Sequence, residues 1–137
     1  MAFWILKTDA ETYAFDQLER ERRSVWDGIT NPLALIHLRA MAAGDRALIY
    51  HSGADKALVG LARVVAPAYP DPQRHDPKLV VVEIEAGRRL PTPVPLAAIK
   101  ADPAFADLDL VRNSRLSVIP VSPAHWKRLL AMAGLKS

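Results

Sequence analysis

The chain has 137 residues, half of them hydrophobic and 24% charged, with a formal net charge of +3 and no cysteine. That length predicts one domain over residues 1–137, able to bury about 65–70% of its unfolded surface in a single core. The composition excludes disulfides, thiolate metal sites and a thiol nucleophile, and no apolar run approaches the ~18 residues that a membrane span needs. The start, Met1 to Lys7, has no basic leader and turns charged too early for a secretory segment, which predicts a cytoplasmic protein. A sequence pI of 9.4 suits a polyanionic partner. The cations are dispersed, however, with local pairs only at Arg22-Arg23, Arg88-Arg89 and Lys127-Arg128, so any phosphate-binding face has to be assembled by folding.

In chain order, Phe3 to Lys7 reads as a first strand, and Phe15 to Arg22 carries helical spacing. Ser24 to Pro32 follows as a turn that sets Trp26 beside hydrogen-bonding groups just before a second helix. That helix starts with the cap residue Asn31 and Pro32 at its first position and closes at Gly44. Arg46 to His51, Ala57 to Val65 and Leu79 to Glu85 predict three strands of a β-meander. Pro67 to Pro77, between the last two, reads as a proline-rich loop that cannot supply ladder donors throughout. Pro95 to Lys100 and Asp102 to Ala106 predict short helical turns, and Leu116 to Val121 a further strand. Ser122-Pro123 caps a terminal helix running to Gly134, with Trp126, Leu129 and Leu130 on its apolar side. Short strands with helices between them and no β-α-β rhythm predict an α+β fold, a small mixed barrel rather than a doubly wound sheet.

The motifs of common catalytic machinery are missing. No Gly-x-Gly-x-x-Gly or Gly-Lys-Ser/Thr offers a phosphate loop, and no Gly-x-Ser-x-Gly exposes a serine. The four histidines, His37, His51, His75 and His125, form no metal-binding pair. Neither a metal nor a cofactor is expected. His51 stands apart because it ends a strand between Tyr50 and Ser52, so alternation turns it to the opposite face from those two. Glu83 and Glu85 share a strand face by the same alternation, which predicts the wet side of the sheet.

Five segments, in order, carry a resemblance: Trp4-Ile5-Leu6-Lys7-Thr8, Trp26-Asp27-Gly28-Ile29 before Asn31, Tyr50-His51-Ser52, Ala68-Tyr69-Pro70-Asp71-Pro72, and Ser114-Arg115-Leu116-Ser117-Val118. Together they resemble the EVE domain family of the PUA-like superfamily over essentially the whole chain. The resemblance implies a PUA-like mixed and antiparallel β-barrel with peripheral α-helices, and a non-enzymatic pocket for a modified base flipped out of its strand, modified cytosine first. Such a pocket needs stacking and edge hydrogen bonds to offset the few kcal/mol lost on extrusion. Carried onto this sequence, it makes Trp26 the stacking platform, with Asn31 and the backbone of Asp27, Gly28 and Ile29 as one lip and Tyr50, His51 and Ser52 as the facing wall. Lys7 and Thr8 would close the floor or meet a phosphate. Ser114, Arg115, Leu116 and Ser117 match a Ser-Arg-Leu-Ser run in which Ser117 reads an edge and Arg115 meets a phosphate or an ion-pair partner. Two positions depart from the family pattern: Thr30 stands where a basic residue is usual, and Pro32 where an aromatic or polar one is.

Each assignment has a structural counterpart. Trp4 and Trp126 read as core residues, Asn31 as a helix cap, and Tyr50, alternating with Leu48, as a buried ring with only its hydroxyl free. The partner implied is nucleic acid carrying a modified base, DNA before RNA, and no membrane. The alternatives are an RNA-binding module and a small enzyme acting on nucleosides or nucleotides through His51 or Lys7.

Overall fold

The computed structural model describes residues 1–136. Six strands, β1 (Phe3–Asp9), β2 (Arg23–Trp26), β3 (Arg46–Ser52), β4 (Ala57–Pro70), β5 (Val80–Pro95) and β6 (Val118–Val121), form one sheet in the order β2-β5-β4-β3-β1-β6. The expected meander is its centre, with β3, β4 and β5 pairing antiparallel in sequence order. β1 makes the sheet mixed, running parallel to β3 and antiparallel to β6. Register shifts within the β3–β4 and β4–β5 ladders curl the sheet, as bulges do. Among the described residues no ladder joins β2 to β6, so the curl has two free ends.

Five helices flank the sheet: α1 (Phe15–Glu21), α2 (Pro32–Ala40), α3 (Leu96–Lys100), α4 (Asp109–Arg112) and α5 (Pro123–Met132), with a 3-10 turn at Pro103–Phe105. Two begin as their sequences predict. The Ala34 N–H donates to the Asn31 side chain at 3.0 Å, the His125 N–H to Ser122 Oγ at 3.1 Å, and proline follows each cap. α2 stops at Ala40, before Gly44, and α4 arises from a segment without a helical signature.

Three expectations are corrected. The proline-rich loop starts later than expected, because β4 continues through Pro67 to Pro70. Both prolines are exposed; Pro67 lies where the ladder slips between Ala66 and Tyr69, and Pro70 is the last residue of the strand, opposite Val80, so no interior hydrogen bond is lost. β5 likewise runs on past Glu85 to Pro95. Finally, the stretch leading to Trp26 is a strand, β2, paired from Arg23 opposite Glu85 to Trp26 opposite Val82. Arg22 enables it by ending α1 in the left-handed region, φ 69°, where glycine is usual.

One hydrophobic cluster runs through the molecule and includes Trp4, Trp26, Phe15, Leu38, Phe105 and Trp126. α1 covers β2 and β5, while α2 packs on β4, β5 and β6. Gly60 is required where Phe15 crosses the sheet, because a Cβ on it would enter the Phe15 ring. Gly60→Ala is therefore expected to lower stability by about 1–3 kcal/mol through overpacking, measured as a fall in the denaturant midpoint with an unchanged slope.

Candidate functional site

The parallel pairing of β1 with β3 sets Lys7 opposite Tyr50 and Thr8 opposite His51. Two clefts open on either side of Lys7. The first, about 570 Å³, is lined by Lys7 and Thr8 from β1, Thr12 and Tyr13 from the following loop, Glu21, and the run Ser24 to Ile29. The second, about 280 Å³, also contains Lys7, with Tyr50, Ser52, Gly53 and Ser114 among its walls.

In the larger cleft, Trp26 belongs to the core and lines the cavity at once; only 7% of its surface is exposed. Tyr13 meets it edge-on, with centroids 6.0 Å apart and planes at 80°. This is the favourable quadrupole arrangement for aromatic pairs. The Tyr13 loop is fixed because Thr8 Oγ1 donates to the Tyr13 carbonyl at 2.7 Å and the Tyr13 N–H donates to the Asp9 carbonyl at 2.8 Å. The Tyr13 hydroxyl donates to Glu21 at 2.6 Å. Burial, then that carboxylate, raise the phenol above its ordinary pKa and keep it a donor. Past Trp26 the chain turns at Gly28, φ 77°, a backbone state that favours glycine and exposes Asp27 at the rim. The rim thus carries carboxylates at Glu21 and Asp27, hydroxyls at Thr8, Thr12 and Ser24, and one cation, Lys7.

Lys7 is half-buried. Its Nζ donates to the Ser114 carbonyl at 2.8 Å and lies 5.7 Å from the Tyr50 ring centroid. Burial lowers its pKa. Of the residues singled out from sequence, Lys7, Thr8, Trp26, Gly28 and Ile29 meet in the larger cleft, while Tyr50, Ser52 and Ser114 join Lys7 in the smaller.

The remaining residues lie elsewhere. Asn31 is exposed and engaged as the α2 cap. His51 faces away from Tyr50 and Ser52, as alternation predicts, and both its ring nitrogens are used. Nε2 accepts the Phe15 N–H at 3.0 Å, which puts the ring proton on Nδ1, 3.0 Å from Asp55. It is thereby a cap for α1. Leu116 is buried, Arg115 is exposed, and the Ser117 carbonyl accepts the Lys7 N–H at 3.0 Å. Ser117 and Arg115 line neither cleft.

Thr12, Tyr13 and Glu21 are cleft residues that sequence reasoning missed. Tyr13, an aromatic in the short loop between the first strand and first helix, was the available signal. Beside Thr30, the β4–β5 loop brings Arg74 to the turn. It is ion-paired to Asp71 at 2.9 Å, with its guanidinium 3.5 Å from the Ile29 carbonyl.

A curled mixed sheet with its helices outside it, and a polar-rimmed aromatic cleft beside the first strand, defines a PUA-like domain. Within that class the chain belongs to the EVE domain family, whose model matches residues 2–132. Thymocyte nuclear protein 1 of Mus musculus is 25% identical over 164 residues, which cover 95% of this chain and 73% of that protein. A Rhodopseudomonas palustris protein solved by NMR shares 42% identity, with a TM-score of 0.93 over 98% of this chain and 94% of the other. The human THYN1 protein, solved in complex with 5-methylcytosine containing DNA, is 24% identical with a TM-score of 0.89, each chain being covered completely (100%). A more remote likeness in fold is the YTH domain of Zygosaccharomyces rouxii MRB1 protein in complex with N6-methyladenosine RNA. It has 14% identity and a TM-score of 0.61 over 99% of this chain and 88% of that one. No helix among the described residues is long and apolar enough to cross a membrane.

Proposed function

We propose that this protein is a non-enzymatic nucleic-acid-binding domain, one domain over its whole length, which reads a modified base extruded into the cleft between Lys7 and Trp26. The observation that carries the proposal is the cleft itself, where a buried indole braced by Tyr13 stands beside two rim carboxylates and three hydroxyls. Stacking on such a wall is worth about 1–3 kcal/mol per base, comparable to the few kcal/mol lost on extrusion. Carboxylates accept hydrogen bonds from exocyclic amino groups, which favours cytosine or adenine over thymine. A methyl group that fills space left by the plain base adds about 0.8 kcal/mol, or roughly fourfold in affinity.

Modified cytosine in DNA is the first reading, supported by the human THYN1 complex with 5-methylcytosine DNA. RNA is the second, supported by the YTH domain held with N6-methyladenosine RNA. A nucleoside-directed enzyme is disfavoured because Lys7 and His51 occupy different environments and both His51 nitrogens are committed.

The test is a screen of matched DNA and RNA single strands, each carrying one modified cytosine, one modified adenine or neither, at two salt concentrations. Preferential, salt-weakened binding of a modified strand is expected. Equal binding of modified and plain strands would refute the reading.

A further inference from the structure

We propose that the smaller cleft is a phosphate site that holds the backbone of the strand whose base enters the larger one; the inference rests on the base-reading proposal above. Lys7, Lys56 and Lys100 all line this cleft, with the hydroxyls of Ser52 and Ser114 and no carboxylate in its wall. Three lysines and two serines in the wall of one cavity bring a donor set suited to a phosphodiester, which offers only acceptor oxygens and a negative charge.

What sets this cleft apart is the gathering of three lysines in a wall without a carboxylate, since unpaired cations such as Arg20, Arg46, Arg88 and Arg115 also occur elsewhere among the described residues. Arg23 and Arg63 are paired to Glu85, Arg74 to Asp71, Arg89 to Asp16 and Glu19, Arg112 to Asp109, and Arg128 to Asp102. Lys56 and Lys100 have no carboxylate partner among the described residues. Two carboxylates approach the hairpin that carries Lys56 without lining the cleft. Asp9, beside Gly53, accepts the Glu11 N–H at 2.9 Å, and Asp55 lies against His51. No carboxylate in the cleft wall offsets its three lysines.

Backbone geometry fixes where Lys56 sits. Lys56 lies in the left-handed region, φ 45°, and its carbonyl accepts the Leu96 N–H at 2.8 Å. That conformation closes the short loop between β3 and β4 and presents Lys56 at the smaller cleft. Lys7 then links the two clefts. Its ammonium is held by the Ser114 carbonyl at the boundary, so a phosphate in the smaller cleft and a base in the larger can belong to one strand.

The test measures binding of a short single strand carrying one 5-methylcytosine across a salt series. It uses the parent, Lys56→Gln/Lys100→Gln, and a control of equal charge change, Lys127→Gln/Lys136→Gln, with thermal unfolding confirming that each is folded. The cleft pair is expected to weaken binding at low salt. It should also flatten the plot of log affinity against log salt by about 0.7–0.9 for each phosphate no longer neutralised. The ratio of methylated to plain affinity should stay as in the parent, and the control should keep the parent slope. An unchanged slope in the cleft pair, or an equal loss in the control, would overturn the phosphate site. If the parent still prefers the methylated strand, the base-reading proposal survives that result. A parent that prefers neither strand refutes base reading, and a parent that binds no strand refutes both.

Discussion

Trp26→Ala is expected to abolish the preference for a modified strand and to weaken overall binding by about 5- to 150-fold, the equivalent of 1–3 kcal/mol of lost stacking. It will also destabilise the fold, because Trp26 is part of the core as well as a cleft wall. Truncating a buried tryptophan removes about 3–5 kcal/mol. Trp26→Phe separates the two effects by keeping an aromatic ring at the end of β2 while shrinking the stacking surface. This variant should unfold closer to the parent yet bind the modified strand more weakly. Calorimetric unfolding and fluorescence-anisotropy titration of the same samples check both expectations. Parent-like binding by a folded Trp26→Ala would place the base elsewhere.

The second large effect lies far from the cleft. Asp45 is 3% exposed, and its carboxylate accepts three hydrogen bonds, from Ala2 N–H at 3.0 Å, Trp4 Nε1 at 3.1 Å and Ala42 N–H at 2.9 Å. It ties the start of β1 to the entry of β3. Asp45→Ala strands those donors at about 1–3 kcal/mol for each one left buried, so a total loss of about 3–5 kcal/mol is expected in chemical denaturation. Asp45→Asn keeps a single acceptor oxygen and should fall between parent and alanine.

The pH dependence of Asp45 follows from the same hydrogen bonds. Burial by itself raises the Asp45 pKa, but the hydrogen bonds from Ala2, Ala42 and Trp4 and the charged N-terminus together outweigh it and leave the pKa lowered. A carboxyl with a depressed folded pKa contributes stability that is present above its unfolded value, about 3.9, and is lost as pH falls through the folded value. The parent should therefore lose stability below about pH 4, and Asp45→Asn should flatten that acid limb. The limb will persist in part, because Asp71, Glu85 and Asp102 are lowered by hydrogen bonds that include those of surface arginines.

What could be read from sequence was local. Asn31-Pro32 and Ser122-Pro123 announce their helices because a cap and a proline act within one turn. β3 to β5 could be read because their apolar runs are long. β2 could not, since Arg23 to Trp26 is mostly exposed and owes its strand state to pairing with Glu85 to Val82, some sixty residues away. Prolines hid the far ends of β4 and β5. The same division holds for the clefts. Lys7, Thr8 and Trp26 were visible through a motif, whereas Tyr13 and Glu21 reach the larger cleft, and Lys56 and Lys100 the smaller, only once strands distant in sequence pair.

The three tryptophans provide the most direct measurement. Trp4 donates its indole N–H to Asp45, Trp126 is buried against Phe3, and of the three only Trp26 lines either cleft beside Lys7. In an ¹⁵N-labelled sample, the three indole resonances are followed while a single strand with one 5-methylcytosine is added, and then its unmethylated twin. The Trp26 indole is predicted to shift at lower concentrations of the methylated strand, with Trp4 and Trp126 nearly still. A Trp26 resonance that stays in place while the strand binds, or that responds identically to both strands, would contradict base reading in this cleft.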